Sequence, residues 1–311
     1  MQANGADDLQ TDLDSLTHVP IGHFTATRIE QFSAPGGLWS HVFPALTQEI
    51  IDRHRAWLVP RYFDPVAGAF ITPIHSWLLK TPNGTILIDA CAGDGKPRSL
   101  DRYNNLHSRF LERLAAAACR PEDIDIVVCT HMHVDHVGWN TRLVEGRWKP
   151  TFPNAKYLFS RTEYEYWASE DTRRTTAASD IAQIHGDSVA PIFEAGLAQL
   201  IDDTHEIVPG VVLEAAHGHT AGHSLIRGTN RDETGIFCGD AMHQPFQVYE
   251  PDINSRYCYD PELARATRRR ILAECADNDF LLLPAHFGQP HFGRIRHNGA
   301  GFTFHPGIGH V

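Results

Sequence analysis

No stretch of this 311-residue chain approaches the roughly 20 consecutive apolar residues of a membrane-crossing helix, so a soluble protein is expected. Met1 to Pro20 is polar and acidic, without a basic segment leading into an apolar one. It reads as neither signal peptide nor anchor, and a cytoplasmic location is expected. Basic residues are also in short supply: 27 Lys and Arg stand against 38 Asp and Glu, a net charge of -11. A protein that tracks nucleic-acid phosphates normally displays a basic surface, which argues against such a partner. The short cluster Arg268-Arg269-Arg270 reads as the solvated face of a helix. Cysteine is sparse and scattered, at Cys91, Cys119, Cys129, Cys238, Cys258 and Cys275, with Cys129 and Cys238 inside strand-like apolar runs. Free buried thiols in a reducing compartment fit this better than disulfides. Repeats and low-complexity segments are also missing.

Histidine, by contrast, is concentrated. Thr-His-Met-His-Val-Asp-His-Val-Gly-Trp-Asn, Thr130 to Asn140, packs His131, His133, Asp135 and His136 into six residues. The run Ile124 to Cys129 before it looks like a buried strand, so the cluster sits where a strand gives way to a loop. Residues two apart in extended chain point the same way, so His131 and His133 can reach one ion; Asp135 and His136, past a turn, can reach a second. Imidazole with some carboxylate suits zinc, and manganese, iron, cobalt or nickel would also accept such ligands.

Three later segments offer more donors. Ala216 to Ser224, Ala-His-Gly-His-Thr-Ala-Gly-His-Ser, is a Gly-broken turn after the strand-like Val211 to Ala215, with His219 as the candidate ligand. Ile236 to Ala241 is an apolar strand ending in an acid, Asp240, placed where a carboxylate could bridge two cations. Phe280 to Pro284 is a short buried strand delivering His286.

In this order these residues resemble the metallo-β-lactamase superfamily: an H-x-H-x-D-H motif, a later single His, a bridging Asp and a final His, covering roughly Phe70 to Gln289. The resemblance implies two divalent metal ions, with His131, His133 and His219 on the first, Asp135, His136 and His286 on the second, and Asp240 on both. It implies a four-layer αβ/βα sandwich, an α/β (α+β) fold, and places Asp89 behind the metal loop as its support. A hydrophobic content of 42% can bury one large core, so residues 23–311 read as a single domain behind a flexible or loosely packed extension, 1–22.

Within the superfamily the chain resembles the branch of acyl-homoserine lactonases and organophosphate hydrolases, through the hairpin near Trp77, the Gly-His-Thr-Ala-Gly-His turn and Gly239-Asp240-Ala241. The implied activity is hydrolysis: a metal-bridging hydroxide opens a lactone or cleaves a related ester, with Asp135 orienting the nucleophile and shuttling its proton. Lactonases of that branch often carry a tyrosine three residues after the bridging Asp. This chain has His243, a candidate catalytic helper or a rim histidine. Alternatives with the same site are a phosphotriesterase or a hydrolytic dehalogenase of activated aryl halides. An iron oxidoreductase resembling persulfide dioxygenases is a reading of another class, and a dead binding protein is disfavoured because no ligand is missing. The expected partner is a small, partly apolar molecule, without membrane or nucleic acid. A homodimer is a further expectation, through the N-terminal extension and the Trp-rich stretch Leu38 to Phe63.

Trp139 and Phe246 are the aromatics tied by sequence to ligand loops and the leading candidates for pocket walls; His223 reads as a support within the ligand turn. Strands are expected over Phe24 to Phe32 and Pro153 to Ser160, and a hairpin at Ile71–Lys80 and Thr85–Asp89. Helices are expected over Asn105 to Arg120, Thr162 to Ser169, Ala177 to Leu200 and Pro261 to Ala276, with a β-rich stretch from Gln199 to Asp240.

Overall fold

The structure, a computed structural model, describes residues 16–169, 172 and 180–307. Of the expected extension, residues 1–15 lie outside the described residues. The rest contributes β1 (His18–Ile21), an end strand with Val19 and Ile21 fully buried. The chain divides into two compact units. The first takes in the described parts of Met1–Phe32 and Trp167–Leu200, with His75–Phe159; the second comprises Ser33–Ile74, Ser160–Tyr166 and the described part of Ile201–Val311.

An eight-stranded sheet contains β1, β2 (Phe24–Leu38), β3 (Phe63–Asp64), β4 (Ala69–Thr81), β5 (Gly84–Ile88) and β6 (Ile126–Val128). A small hairpin, β7 (Thr141–Val144) and β8 (Arg147–Pro150), precedes β9 (Lys156–Ser160) and β10 (Ala198–Ile201), which complete the large sheet in the order β1-β2-β4-β5-β6-β9-β10 with β3 beside β4. The β4–β5 hairpin turns through Pro82-Asn83, as the sequence suggests, with Thr81 opposite Gly84. The pairs β5–β6 and β6–β9 are parallel, Ile86 against Ile126 and Val128 against Leu158. These strands read as unbroken apolar runs because Ile86, Leu87, Ile88, Val127, Val128 and Leu158 are all buried.

The second unit carries a seven-stranded sheet, β11 (Thr204–Val208), β12 (Val211–Ala215), β13 (Ser224–Asn230), β14 (Glu233–Phe237), β15 (Leu281–Leu283), β16 (Gly293–Asn298) and β17 (Gly301–Pro306), paired in sequence order. Only β14 and β15 are parallel, Phe237 against Leu283. Between them runs the helix Pro261–Asn278. Asp260 caps it by accepting from the Glu262 and Leu263 amides at 3.0 Å, and Asp279 ends it in the left-handed region. Its buried Ile271, Leu272 and Cys275 pack with Leu225, Ile236, Leu282 and Phe287; each such aliphatic side chain contributes about 1.5–3 kcal/mol of burial.

Three expectations change. The helix expected over Asn105 to Arg120 is only Phe110–Ala116, because Asn105 sits at φ 48° with its amide on the Lys96 carbonyl, and Ala118 at φ 50° closes the other end. The described part of the stretch expected as helix over Ala177 to Leu200 splits into Asp180–Ile184, a π turn His185–Val189 and Ala190–Glu194, before β10. Pro191 has no N–H to return to the Asp187 carbonyl, which instead accepts the Lys96 ammonium at 3.1 Å and the Thr141 hydroxyl. Finally, Arg268 is not on a solvated face: it is fully buried in the second unit, while Arg269 remains outside, paired with Asp252. No helix among the described residues is long and apolar enough to cross a membrane.

Candidate metal centre

In the first unit, donor groups gather at the carboxyl ends of the parallel strands β5 and β6. Asp89 follows β5 at φ 60°, and its amide donates to the Val128 carbonyl at the end of β6. Its carboxylate Oδ1 accepts from the Thr130 amide at 2.7 Å, both of its oxygens lie 3.0 Å from the Thr130 hydroxyl, and Oδ2 lies 2.9 Å from His136 Nδ1. The buried carboxylate therefore holds the proton of His136 on Nδ1 and leaves Nε2 as the lone-pair nitrogen. The Thr130 hydroxyl, having given its proton to Asp89, accepts from His131 Nδ1 at 3.0 Å, which sets the same tautomer in His131. One acid thus orients two imidazoles.

His131 Nε2 lies 3.0 Å from His133 Nδ1, and the His131 and His136 rings are 4.0 Å apart. Two nitrogens on one tetrahedral zinc would be separated by about 3.3 Å, so this donor pair fits a shared ion. His136 Nε2 is 3.8 Å from Asp135 Oδ1. The loop can close this tightly only because residue 138 is glycine: a Cβ there would fall 1.9 Å from the Ala92 carbonyl carbon. The same close approach seats the Gly138 and Trp139 amides on the Cys91 and Ala90 carbonyls.

In the second unit, three imidazoles converge on one carboxylate beyond the parallel strands β14 and β15. Asp240 Oδ2 is 3.3 Å from both His219 Nε2 and His243 Nε2, and Oδ1 is 3.0 Å from His286 Nε2. His286 Nδ1 donates to the Pro73 carbonyl at 2.9 Å, so its Nε2 too is the lone-pair nitrogen. His223 lies behind: Nδ1 donates to the Ala216 carbonyl at 2.9 Å, and Nε2 accepts from the Asp240 amide at 3.0 Å. With both nitrogens so used it fixes the bridge-candidate backbone, and its ring has no lone pair to offer an ion. His243 is buried, with Nδ1 lacking a hydrogen-bond partner among the described residues.

Three supports had no sequence signal. Glu163, buried, accepts from the Thr220 hydroxyl at 2.7 Å and the Gly222 amide at 2.9 Å, bracing the His219 turn; a Cβ on Gly222 would strike the Glu163 amide at 2.2 Å. Arg268 donates to the Ala241 carbonyl at 2.8 Å, Pro251 at 2.6 Å, and Asn254 Oδ1 at 3.1 Å, tying down the chain just after Asp240; burial lowers its pKa. Tyr103 donates to Asp135 Oδ2 at 2.9 Å. Each partner is remote in sequence, so no local pattern could have announced it.

The aromatic candidates lie in packed surroundings. Trp139 is buried and stacks on Phe110 at 5.3 Å, and Phe246 stacks on Phe70 at 5.0 Å within a cluster that includes Phe43, Tyr62 and Ile253. Trp167, which the sequence did not single out, stands 5.6 Å from His133. Imidazole nitrogens and carboxylate oxygens, preset in tautomer and gathered at strand ends, are a donor set suited to zinc-like ions.

Known proteins resemble the chain in sequence and in fold. The model of the metallo-beta-lactamase superfamily matches residues 70–286. An N-acyl homoserine lactonase of Bacillus cereus is 26% identical over 216 residues, 64% of this chain and 75% of the relative; one of Bacillus thuringiensis is 24% identical over 212 residues, with the same coverage. Among solved structures, the hydrolase AbOPH of the beta lactamase superfamily aligns with TM-score 0.79 at 21% identity, covering 95% of this chain and 98% of that one. The dizinc quorum-quenching lactonase AidC, in complex with a homoserine product, aligns with TM-score 0.76 at 18% identity and the same coverage. The mixed α/β fold expected from the sequence is the fold these structures share.

Proposed function

The chain belongs to the metallo-beta-lactamase superfamily, and from that premise we propose that it is a metal-dependent hydrolase that opens a lactone or cleaves a related ester. The observation that carries this reading is the pair of donor clusters, each at the carboxyl ends of two neighbouring parallel strands, with the outward nitrogens of His131, His136 and His286 already committed to Thr130, Asp89 and Pro73. The lactonase relatives support the substrate class.

In this reading His131, His133 and His219 would hold one ion and Asp135, His136 and His286 a second, with Asp240 available to both. Divalent ions so held would supply an activated water at neutral pH and polarise the scissile carbonyl. The protein's own part is orientation. Asp89 and Thr130 keep His136 and His131 in the ligating tautomer, and His223 and Arg268 hold the Asp240 segment from behind. Asp135 is the group that accepts and returns a proton during hydrolysis. His243, whose Nε2 lies 3.3 Å from Asp240, is the donor proposed to hydrogen-bond the substrate oxygen or protonate the leaving group.

The test combines elemental metal analysis of the purified protein with turnover of lactones, aryl esters, phosphotriesters and haloaromatics. About two equivalents of zinc or a similar metal, lactone or ester turnover, and loss of both in Asp240→Asn support the reading. One equivalent of iron with oxygen consumption, or preferential turnover of phosphotriesters or haloaromatics, refutes it.

A further inference from the structure

The candidate ligand Asp135 touches a phenol that lies outside the histidine motif. Tyr103 reaches it from a 3₁₀ turn, Asp101–Tyr103, and donates to Oδ2 at 2.9 Å. The other oxygen, Oδ1, faces His136 Nε2 at 3.8 Å. We infer that Tyr103 is a positioning residue: it holds one oxygen of Asp135 so that the other is turned to the metal, and the loop 93–108 exists to present it. This rests on Asp135 being a metal ligand.

The loop is built for that task. Its two arms pair like rungs: the Ser108 amide and hydroxyl donate to Asp94 at 2.7 and 2.8 Å, the Gly95 amide to the Leu106 carbonyl at 2.8 Å, the Asn105 amide to the Lys96 carbonyl at 2.7 Å, and the Arg98 amide to Asn104 Oδ1 at 3.0 Å. Tyr103 stands near the tip. The tip is then staked to the segment 180–189 at two points. The Ser99 amide and hydroxyl bond Asp180 at 3.0 and 2.9 Å. Arg98 makes a two-pronged pair with Asp187 at 2.6 and 2.8 Å, and Lys96 reaches the same carboxylate at 3.4 Å.

An aspartate carboxylate turns readily about its last torsion, which is broad and roughly two-fold. A water could bond Oδ2 but would not fix that rotation; a phenol on a braced loop does. Ordering sixteen residues of loop costs conformational entropy, and the rungs and stakes offset it before Asp135 is engaged. The sequence hides this arrangement because Tyr103 and Asp135 are 32 positions apart.

The experiment uses the zinc-loaded full chain and reads both metal retention against a competing chelator and steady-state kinetics. Tyr103→Phe keeps the ring and removes the bond; it should release one of two zinc ions about tenfold more readily and lower kcat with KM unchanged. The thermal midpoint of the metal-free protein should not move. Asp180→Asn, which loosens one stake, should weaken the same ion in the wild-type background and add nothing in the Tyr103→Phe background. Wild-type retention and kcat in Tyr103→Phe, or additive losses in the double variant, overturn the proposal. Asp135→Asn separates the two layers: if it retains all zinc, the ligand reading falls with the proposal; if it loses zinc while Tyr103→Phe does not, only the proposal falls.

Discussion

Replacing Asp89 by asparagine should disable the metal loop without disturbing the backbone that carries it. Asparagine, like the aspartate it replaces, can adopt the left-handed φ of 60° at this position, so the turn after β5 can be kept. The carboxylate, however, accepts everything presented to it: the Thr130 amide, the Thr130 hydroxyl and His136 Nδ1. An amide has one accepting oxygen. If that oxygen serves the Thr130 amide at 2.7 Å, the NH₂ faces His136 Nδ1, donor against donor. His136 must then move its proton to Nε2, the nitrogen proposed to face the ion, or turn its ring away. The Thr130 hydroxyl keeps only the neutral amide oxygen as its acceptor, which weakens the relay that sets His131. Partners of this kind behind metal-ligating histidines cost about 10–100-fold in affinity when removed, or about 1.4–2.7 kcal/mol. Isothermal titration of the metal-free protein with zinc would measure it, alongside turnover of the best substrate. Asp89→Ala should be worse, since it also carries the φ penalty of about 1–2 kcal/mol. Wild-type zinc affinity in Asp89→Asn would refute the tautomer argument.

Two further substitutions probe the supports. Lys96 is fully buried with its ammonium 2.8 Å from Thr141 Oγ1 and 3.7 Å from the centre of the Trp148 ring; burial, against the pull of Asp187, lowers its pKa from 10.5 to about 8. Between pH 8 and 10.5 the unfolded chain binds more protons at this residue than the folded one, so its contribution to stability is present above 10.5 and lost as pH falls through about 8. Urea unfolding of wild type and Lys96→Met should therefore show the difference moving in favour of wild type over that window, by up to about 3 kcal/mol; a difference independent of pH would contradict the buried-charge account. Arg268→Met should destabilise by about 3 kcal/mol or more, because the carbonyls of Ala241 and Pro251 and the Asn254 side chain lose their donor in the interior. Denaturant midpoints measure it, and a neutral result would mean those acceptors find water.

The donor residues were legible because each closes a short apolar strand. His131 and His133 follow β6, Asp240 follows β14, and His286 follows β15, so strand pattern and residue chemistry point to the same places. Asp89, at the end of β5, entered through the family resemblance, which places an acid behind the loop that follows β6. Arg268 departs from the expectation because Arg-Arg-Arg on a helix normally faces water, whereas here the carbonyls of Ala241, Pro251 and Ile253 and the Asn254 side chain make its burial tolerable. The helix expected over Asn105 to Arg120 lost its first turn to the rungs of the loop 93–108, where long-range pairing outweighs a propensity of a few tenths of a kcal/mol per residue. Trp139 and Phe246 sit beside ligand loops in sequence, yet each turns its ring into stacked packing.

Local and periodic features can be read directly along the chain: strands that end in histidine or aspartate, the turn at Pro82-Asn83, the helix start at Pro261, and the order of donors that marks the superfamily. Backbone alternation and residue chemistry operate over a few positions, and a single chain displays them directly. The tertiary structure alone decided which partners stand behind those donors. The Asp89–Thr130–His131 relay, Glu163 under the His219 turn, Arg268 on the Ala241 carbonyl and Tyr103 on Asp135 join residues that strand pairing and loop closure bring within 3 Å across tens of positions. Hydrogen bonds carry no information along the chain about where the other half will come from.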